Sequence, residues 1–199
     1  MSWERADKIS AGALVVACLA LGLQAAPTVR GWLWPEASCD DASGLTRVED
    51  VRAEASTSLA PQGSFDYEAV NVTDGNLNTA WIPAGSDGGE GSQLTLMLPE
   101  PTDVQLLCIV NGYVQDTDVY NDNGRVRDVT VATDAGTATG ALTDMPVDER
   151  GTYQGVPLEE GRTETITITI NTYFAGVVTA GQGARDTAIS EIIVYEEGD

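Results

Sequence analysis

The chain contains no histidine. That removes the side chain most often used for acid–base work at neutral pH and for binding zinc. Its three cysteines, Cys18, Cys39 and Cys108, do not stand at zinc-ligand spacing. Lysine is nearly missing as well, with Lys8 alone, a scarcity read as compositional bias of the source genome. Ten basic residues face 31 acidic ones, for a formal net charge of -21 over 199 residues. Such a surface repels phosphate backbones and anionic lipid, which argues against nucleic acid as a partner, and it attracts divalent cations. With histidine absent, the enzymatic route left open is a carboxylate pair. Long stretches of helical period are lacking beyond residue 45. What the chain does have is 42% hydrophobic residues, enough to build a core over a domain of roughly 150 residues.

The N-terminal part differs in character. Residues 9–29, "ISAGALVVACLALGLQAAPTV", carry no charge, and a membrane-spanning helix needs about 20 mostly apolar residues. Arg5 and Lys8 precede this stretch, and Trp3, Trp32 and Trp34 flank it as interfacial anchors would. The reading is a cytoplasmic N-terminus over 1–8, a transmembrane signal-anchor over 9–29 and a juxtamembrane linker over 30–44, with the remainder outside the cytoplasm. A cleaved signal peptide, with "LQAAP" as its site, and a lipoprotein box ending at Cys18 are the rival readings. All three export the rest of the chain. Export permits a disulfide between Cys39 and Cys108; the alternative is that Cys108, inside "VQLLCIV", is a small buried apolar residue.

Residues 45–199 read as one all-β domain. "QLTLML" (93–98) alternates, "VQLLCIV" (104–110) is apolar on both faces, and "TETITITI" (163–170) turns Ile166, Ile168 and Ile170 to one side. "AISEIIVYE" (188–196) closes the set. In "RVRDVTVAT" (125–133) Val126 is out of step with Val129 and Val131, which predicts a kink or bulge near Asp128. Short strands split by Gly, Pro, Asp and Asn predict an antiparallel sandwich or barrel. "SFDYEAVNV" (64–72) predicts one short helical turn before "DGNLNTAW" (74–81). Asn71-Val72-Thr73 matches a glycosylation sequon and is read as chance.

Three segments in order, "YEAVNVTDGNLNTAW" (67–81), "QLTLMLPEPTDVQLLCIVNGY" (93–113) and "DTAISEIIVYE" (186–196), resemble the discoidin family. The middle motif "NGYVQDTDVYNDNGRVRDVTV" (111–131) looks like the discoidin-like glycan-binding domain attached to secreted bacterial NAD glycohydrolase toxins. The resemblance covers about residues 45–197; the catalytic domain of those toxins has no counterpart in these residues. It implies an antiparallel jelly-roll β-sandwich of the galactose-binding-like type. It also implies a structural calcium ion held by Asp74, the backbone at Asn76, Thr79 and Glu191, with Trp81 packed beneath. Ca²⁺ takes carboxylate, carbonyl and hydroxyl oxygens in flexible geometry. The alternative is that Asp74 caps a turn and Glu191 pairs with an arginine such as Arg125.

Family analogy puts the ligand at loops on one end of the sandwich. Candidates are Tyr113, Tyr120, Asn123 and Arg125 in the long "NGY…NGR" loop, and Tyr173 and Phe174 in "NTYFAG". Aromatic rings with a few directed polar groups suit a sugar site. Structural roles stand beside these: Tyr113 in the core, Asn123 in a turn, Arg125 neutralising an internal carboxylate. The functional expectation is a bacterial, membrane-anchored, extracytoplasmic, non-catalytic module binding a glycan or cell-envelope polymer. The alternative is a structural subunit docking a membrane or envelope protein. An enzyme with paired acids would draw on Asp116, Asp118, Asp122, Glu159 or Glu160, which all fall in polar loops.

Overall fold

The computed structural model describes residues 38–85, 87–177 and 186–198. The apolar stretch 9–29, its flanking tryptophans and Cys18 lie outside the described residues, as does linker 30–37. Among the described residues no helix is long and apolar enough to cross a membrane.

Among the described residues eight strands build the domain: β1 (Leu45–Arg47), β2 (Arg52–Ala55), β3 (Gln93–Asn111), β4 (Gly124–Thr133), β5 (Thr137–Ala141), β6 (Tyr153–Pro157), β7 (Arg162–Phe174) and β8 (Thr187–Glu197). The two segments expected as separate strands at 93–98 and 104–110 are one element. β3 runs through both, and its register shifts between Met97 and Thr102, where Pro99 and Pro101 interrupt the pairing. Its first half pairs antiparallel with β2 and β7. Its second half pairs antiparallel with β6 and β8. β7 continues to β4 and β5, and β8 to β1. β3 is thus shared by two faces of the sandwich.

The core lies between those faces. Leu94, Leu96, Ile166, Ile168, Ile170, Val129 and Val131 point in from one side, and Leu107, Ile109, Ile189 and Val194 from the other, all buried. Period-two alternation gives β3, β4 and β7 their single inward faces, while on β8 Ile189 and Val194, five residues apart, both reach the core across the register shift opposite Val110 and Asn111. Each such side chain contributes about 1.5–3 kcal/mol on burial. The irregularity expected near Asp128 is present: the β4–β7 register shifts on both sides of it. The helical turn expected before residue 74 is a 3-10 turn at Ala69–Val72. Asn71 sits in that turn, buried, and its amide donates to the Asp66 carbonyl and carboxylate and the Ala80 carbonyl. A side chain so committed is no glycosylation acceptor.

One expectation about loops needs correction. The polar run after Tyr113 holds a short helix, α1 (Thr117–Asp122), whose first turn is capped by Asp116 accepting from the Val119 amide. Cys39 and Cys108 form a disulfide, joining the segment ahead of β1 to the C-terminal part of β3. At one end of the sandwich the end of β3, the start of β4, the end of β7 and the start of β8 converge. There β4 and β8 pair in parallel through Gly124–Thr187 and Arg125–Ala188.

Candidate functional site

That end carries a loop rich in oxygen and, beside it, a small aromatic pocket. The loop is built by Asp74, whose Oδ1 accepts the Asn76 amide at 2.8 Å and whose Oδ2 accepts the Thr79 hydroxyl at 2.9 Å. The same hydroxyl lies 2.6 Å from the Asn76 carbonyl, so its single proton serves one of the two oxygens at a time. Gly75 takes φ 71°, a conformation glycine adopts without strain. That bend aims its amide at Glu191 on β8, where Oε2 accepts it at 3.0 Å. Trp81 lies beneath, fully buried, exchanging both backbone hydrogen bonds with Ile189 and donating its indole N–H to the Thr57 carbonyl at 3.0 Å.

Glu191 is 1% exposed, and among the described residues its Oε1 has no hydrogen-bond partner. Burial, and then the charge of Asp74, push its carboxyl up to about 7. Arg125 is not its partner. The guanidinium forks onto Asp144 at 2.9 and 3.0 Å instead. The pairing of Glu191 with an arginine is therefore replaced by a backbone amide and an orphaned oxygen. Asp74, the Asn76 carbonyl, Thr79 and Glu191 are all brought to this one loop, and two carboxylates with carbonyl and hydroxyl oxygens form a donor set that fits a hard cation.

The pocket, of about 190 Å³, lies against the same loop. Phe65, Tyr67 and Tyr113 supply its aromatic lining, and Gln62, Gln115, Asn123 and Asp186 its polar groups. Phe65 is 48% exposed. Tyr67 and Tyr113 meet edge to face with ring centroids 6.3 Å apart. The Tyr113 hydroxyl donates to the Asn78 carbonyl at 3.3 Å, tying the pocket to the oxygen-rich loop. Burial raises both phenols; Asp186 adds to the effect at Tyr67, and Tyr67, Asp116 and Asp66 add to it at Tyr113.

The other expected ligand residues are placed elsewhere. Tyr120 is not on the surface. It is 2% exposed, its hydroxyl donates to the Met145 carbonyl at 2.8 Å, and the Arg125 guanidinium stands 5.1 Å from its ring centre. Arg125 is also buried, donating to the Asn123 carbonyl as well as to Asp144. Gly112 packs over both: at φ 94°, a Cβ there would stand under 3 Å from the Tyr120 ring and the Arg125 side chain. Asn123 lines the pocket, but its amide is given to the Val119 carbonyl. Tyr173 and Phe174 are half-buried outside the pocket. The Tyr173 ring lies on Gly88, and the Arg127 guanidinium lies 5.7 Å from the Phe174 ring centre.

Sequence reasoning missed Phe65, Tyr67, Gln62, Gln115 and Asp186 as site residues. A signal was present: the chain has two phenylalanines, and Phe65 sits among Gly63, Ser64 and Asp66, outside any apolar alternation. A larger cleft of about 820 Å³, bordered by Arg47, Arg52, Val70, Leu98 and Ile192, has no aromatic lining. Of the acidic residues, Asp118 and Asp122 stand together on α1 and border one depression with Asn121 and Val177, while Glu159 contacts Gly136 at the β4–β5 turn, at the other end of β4.

Residues 45–195 match the family model described as the NAD glycohydrolase translocation F5/8 type C domain. The chain belongs to that family. Among solved structures, this F5/8 type C domain is similar to the family 32 carbohydrate-binding module of Clostridium perfringens NanJ in complex with galactose. The TM-score is 0.51 at 21% identity, covering 76% of this chain and 99% of that one. It is similar to an F5/8 type C domain from Bacteroides fragilis, with a TM-score of 0.56 at 13% identity over 78% of this chain and 99% of the other. The family 32 module of AlyQ, in complex with 4,5-unsaturated mannuronic acid, gives 0.53 at 14% identity over 75% and 97%. At these identities the likeness is one of fold, and it confirms the jelly-roll expectation. No curated protein is detectably similar to the chain.

Proposed function

We propose that this F5/8 type C domain is a non-catalytic glycan-recognition module, held at the outer face of a bacterial cell membrane by the apolar stretch 9–29. The observation that carries the reading is the pocket of Phe65, Tyr67 and Tyr113 with three side-chain amides and one carboxylate around it. An exposed ring beside convergent polar groups is the composition of a saccharide site. The fold neighbours solved with galactose and with a mannuronic acid derivative support a sugar as the ligand class. The Cys39–Cys108 disulfide supports an oxidising compartment, and with it export.

In this reading a calcium ion sits at the loop of Asp74, Asn76, Thr79 and Glu191. It would supply charge compensation for two neighbouring carboxylates and hold the loop against which Tyr113 rests. The alternative, a protein-docking subunit, draws support from the larger cleft, where Val70 is 57% exposed.

The test is a glycan array with the full chain in detergent, in calcium and in chelator, for wild type and Phe65→Ala. Binding to a defined sugar class that Phe65→Ala weakens about tenfold or more, with the melting transition retained, supports the reading. Absence of binding from folded wild-type protein would remove the glycan function and favour the docking alternative.

A further inference from the structure

The charge of the pocket is one-sided. Among the described lining residues Asp186 is the one ionised side chain, and none of them is a lysine or arginine. The Asp186 carboxylate makes no hydrogen bond or ion pair among the described residues, while its own carbonyl is fixed by the Gly124 amide at 2.8 Å. The nearest buried guanidinium, on Arg125, is spent on Asp144 and two backbone carbonyls. Asn123 gives one amide proton to the Val119 carbonyl, which leaves its oxygen and its second N–H for a ligand. Three aromatic rings complete the lining, and ring faces attract cations.

Resting on the glycan reading, we infer that this pocket selects a saccharide bearing a protonated amine, a 2-amino-2-deoxyhexose, over its N-acetylated and acidic counterparts. An ammonium group at Asp186 forms a charge-assisted hydrogen bond, about twice as strong as a neutral one. N-acetylation removes that charge and two of the three N–H donors. A uronate brings a second carboxylate to a pocket whose described lining holds no cation, on a molecule already at -21. The influence of Asp66 and Asp116 on Tyr113 shows that further negative charge stands close by.

The experiment is a binding series on the full chain in detergent at about 0.15 M salt, which screens distant charge. Probes are the β-1,4 tetramer of glucosamine, the same tetramer fully N-acetylated, tetragalacturonate, and choline as an ammonium without a sugar. We expect the amine tetramer to bind about tenfold tighter than the N-acetylated one, with tetragalacturonate and choline weakest. Asp186→Asn, isosteric at a side chain without partners among the described residues, brings the amine tetramer down to the N-acetylated level and leaves the latter unchanged. Glu54→Gln, an exposed carboxylate on β2, leaves the preference intact and so separates the pocket from bulk charge.

Equal binding of the two tetramers, stronger binding of the uronate, a preference that survives Asp186→Asn, or equal loss in Glu54→Gln overturns the inference while the glycan reading stands. Choline competing as well as the amine tetramer overturns the saccharide part. Binding of none of the sugars removes the glycan reading and the inference together.

Discussion

The amide of Gly75 donates to Oε2 of Glu191 at 3.0 Å, across 116 residues of chain. This bond fastens the oxygen-rich loop to β8, yet it leaves Oε1 of the same carboxylate buried and without a partner among the described residues. An ion that completes the set binds the folded state alone, so it stabilises by mass action. At a calcium concentration about 100-fold above its dissociation constant the gain is about 2.7 kcal/mol. For a domain of this size that is a rise in melting temperature of about 5–10 °C. Melting in millimolar calcium against chelator measures it. Glu191→Gln is expected to abolish the increment, and an unchanged wild-type melt would show that no ion is held.

In chelator, the same carboxyl sets a pH dependence of the opposite sign to that of an ordinary paired carboxylate. Its folded value is pushed up to about 7 from 4.5. Between those values the folded state holds a proton that the unfolded state has released, so stability falls as pH rises. The contribution is fully present below about pH 4.5 and lost above about pH 7, and it amounts to about 3 kcal/mol. Exposed carboxylates such as Asp134, lowered by hydrogen bonds from the Glu164 amide and Thr163, slope the other way. The measurement is therefore the difference between wild type and Glu191→Gln in urea unfolding from pH 4 to 8. A difference that stays flat over that range would refute the assignment.

The disulfide has a consequence for the edge of the sandwich. Cys39 and Cys108 are 69 residues apart, and closing a loop of that length in the unfolded chain corresponds to about 4 kcal/mol. β1 is three residues long and pairs with β8 alone, so the segment ahead of it has few other attachments. Cys39→Ser is expected to lower stability by about that amount, and reductant is expected to do the same to wild type. The check is paired melts with and without reductant; the Cys39→Ser protein should be indifferent to it. A reductant-insensitive wild type would show that the bridge does not form.

The sequence was legible where side chains alternate. "TETITITI" needed no context, because three isoleucines two apart can share a face only in a strand, and all three are buried. The bulge near Asp128 was legible for the same reason, since a break in period two is itself a signal. β1 and β2 were not, being three and four residues long with little apolar pattern. α1 was hidden because six mostly polar residues offer no helical period. That omission carried Tyr120 with it: as a loop residue it reads as exposed, whereas as a residue of α1 its ring turns inward beneath Gly112. Asp74, Asn76, Thr79 and Glu191 came from the resemblance, and the structure brings them to one loop. The pocket was half legible. Tyr113 and Asn123 were named, but Phe65 lies in a segment read for its helical turn. Asp186 is a single acid among many, with nothing in its neighbours to mark it.

Arg125 was open to two readings, and its geometry favours the structural one. Its side chain is 8% exposed, its fork closes on Asp144, and a third contact reaches the Asn123 carbonyl. Asp144 is 41% exposed and the guanidinium keeps the Tyr120 and Asn123 carbonyls, so losing the charge-assisted fork destabilises by about 1.5–3 kcal/mol. Asp144→Ala should therefore lower stability about that much. Arg125→Lys keeps the charge but loses the planar fork, and should fall between wild type and Asp144→Ala. Urea unfolding orders the three. The decisive readout is sugar binding per folded molecule, measured where Arg125→Lys remains folded. It is expected to match wild type, because the guanidinium never reaches the pocket. A specific loss of binding at unchanged folded fraction would return Arg125 to the ligand site and overturn the structural assignment.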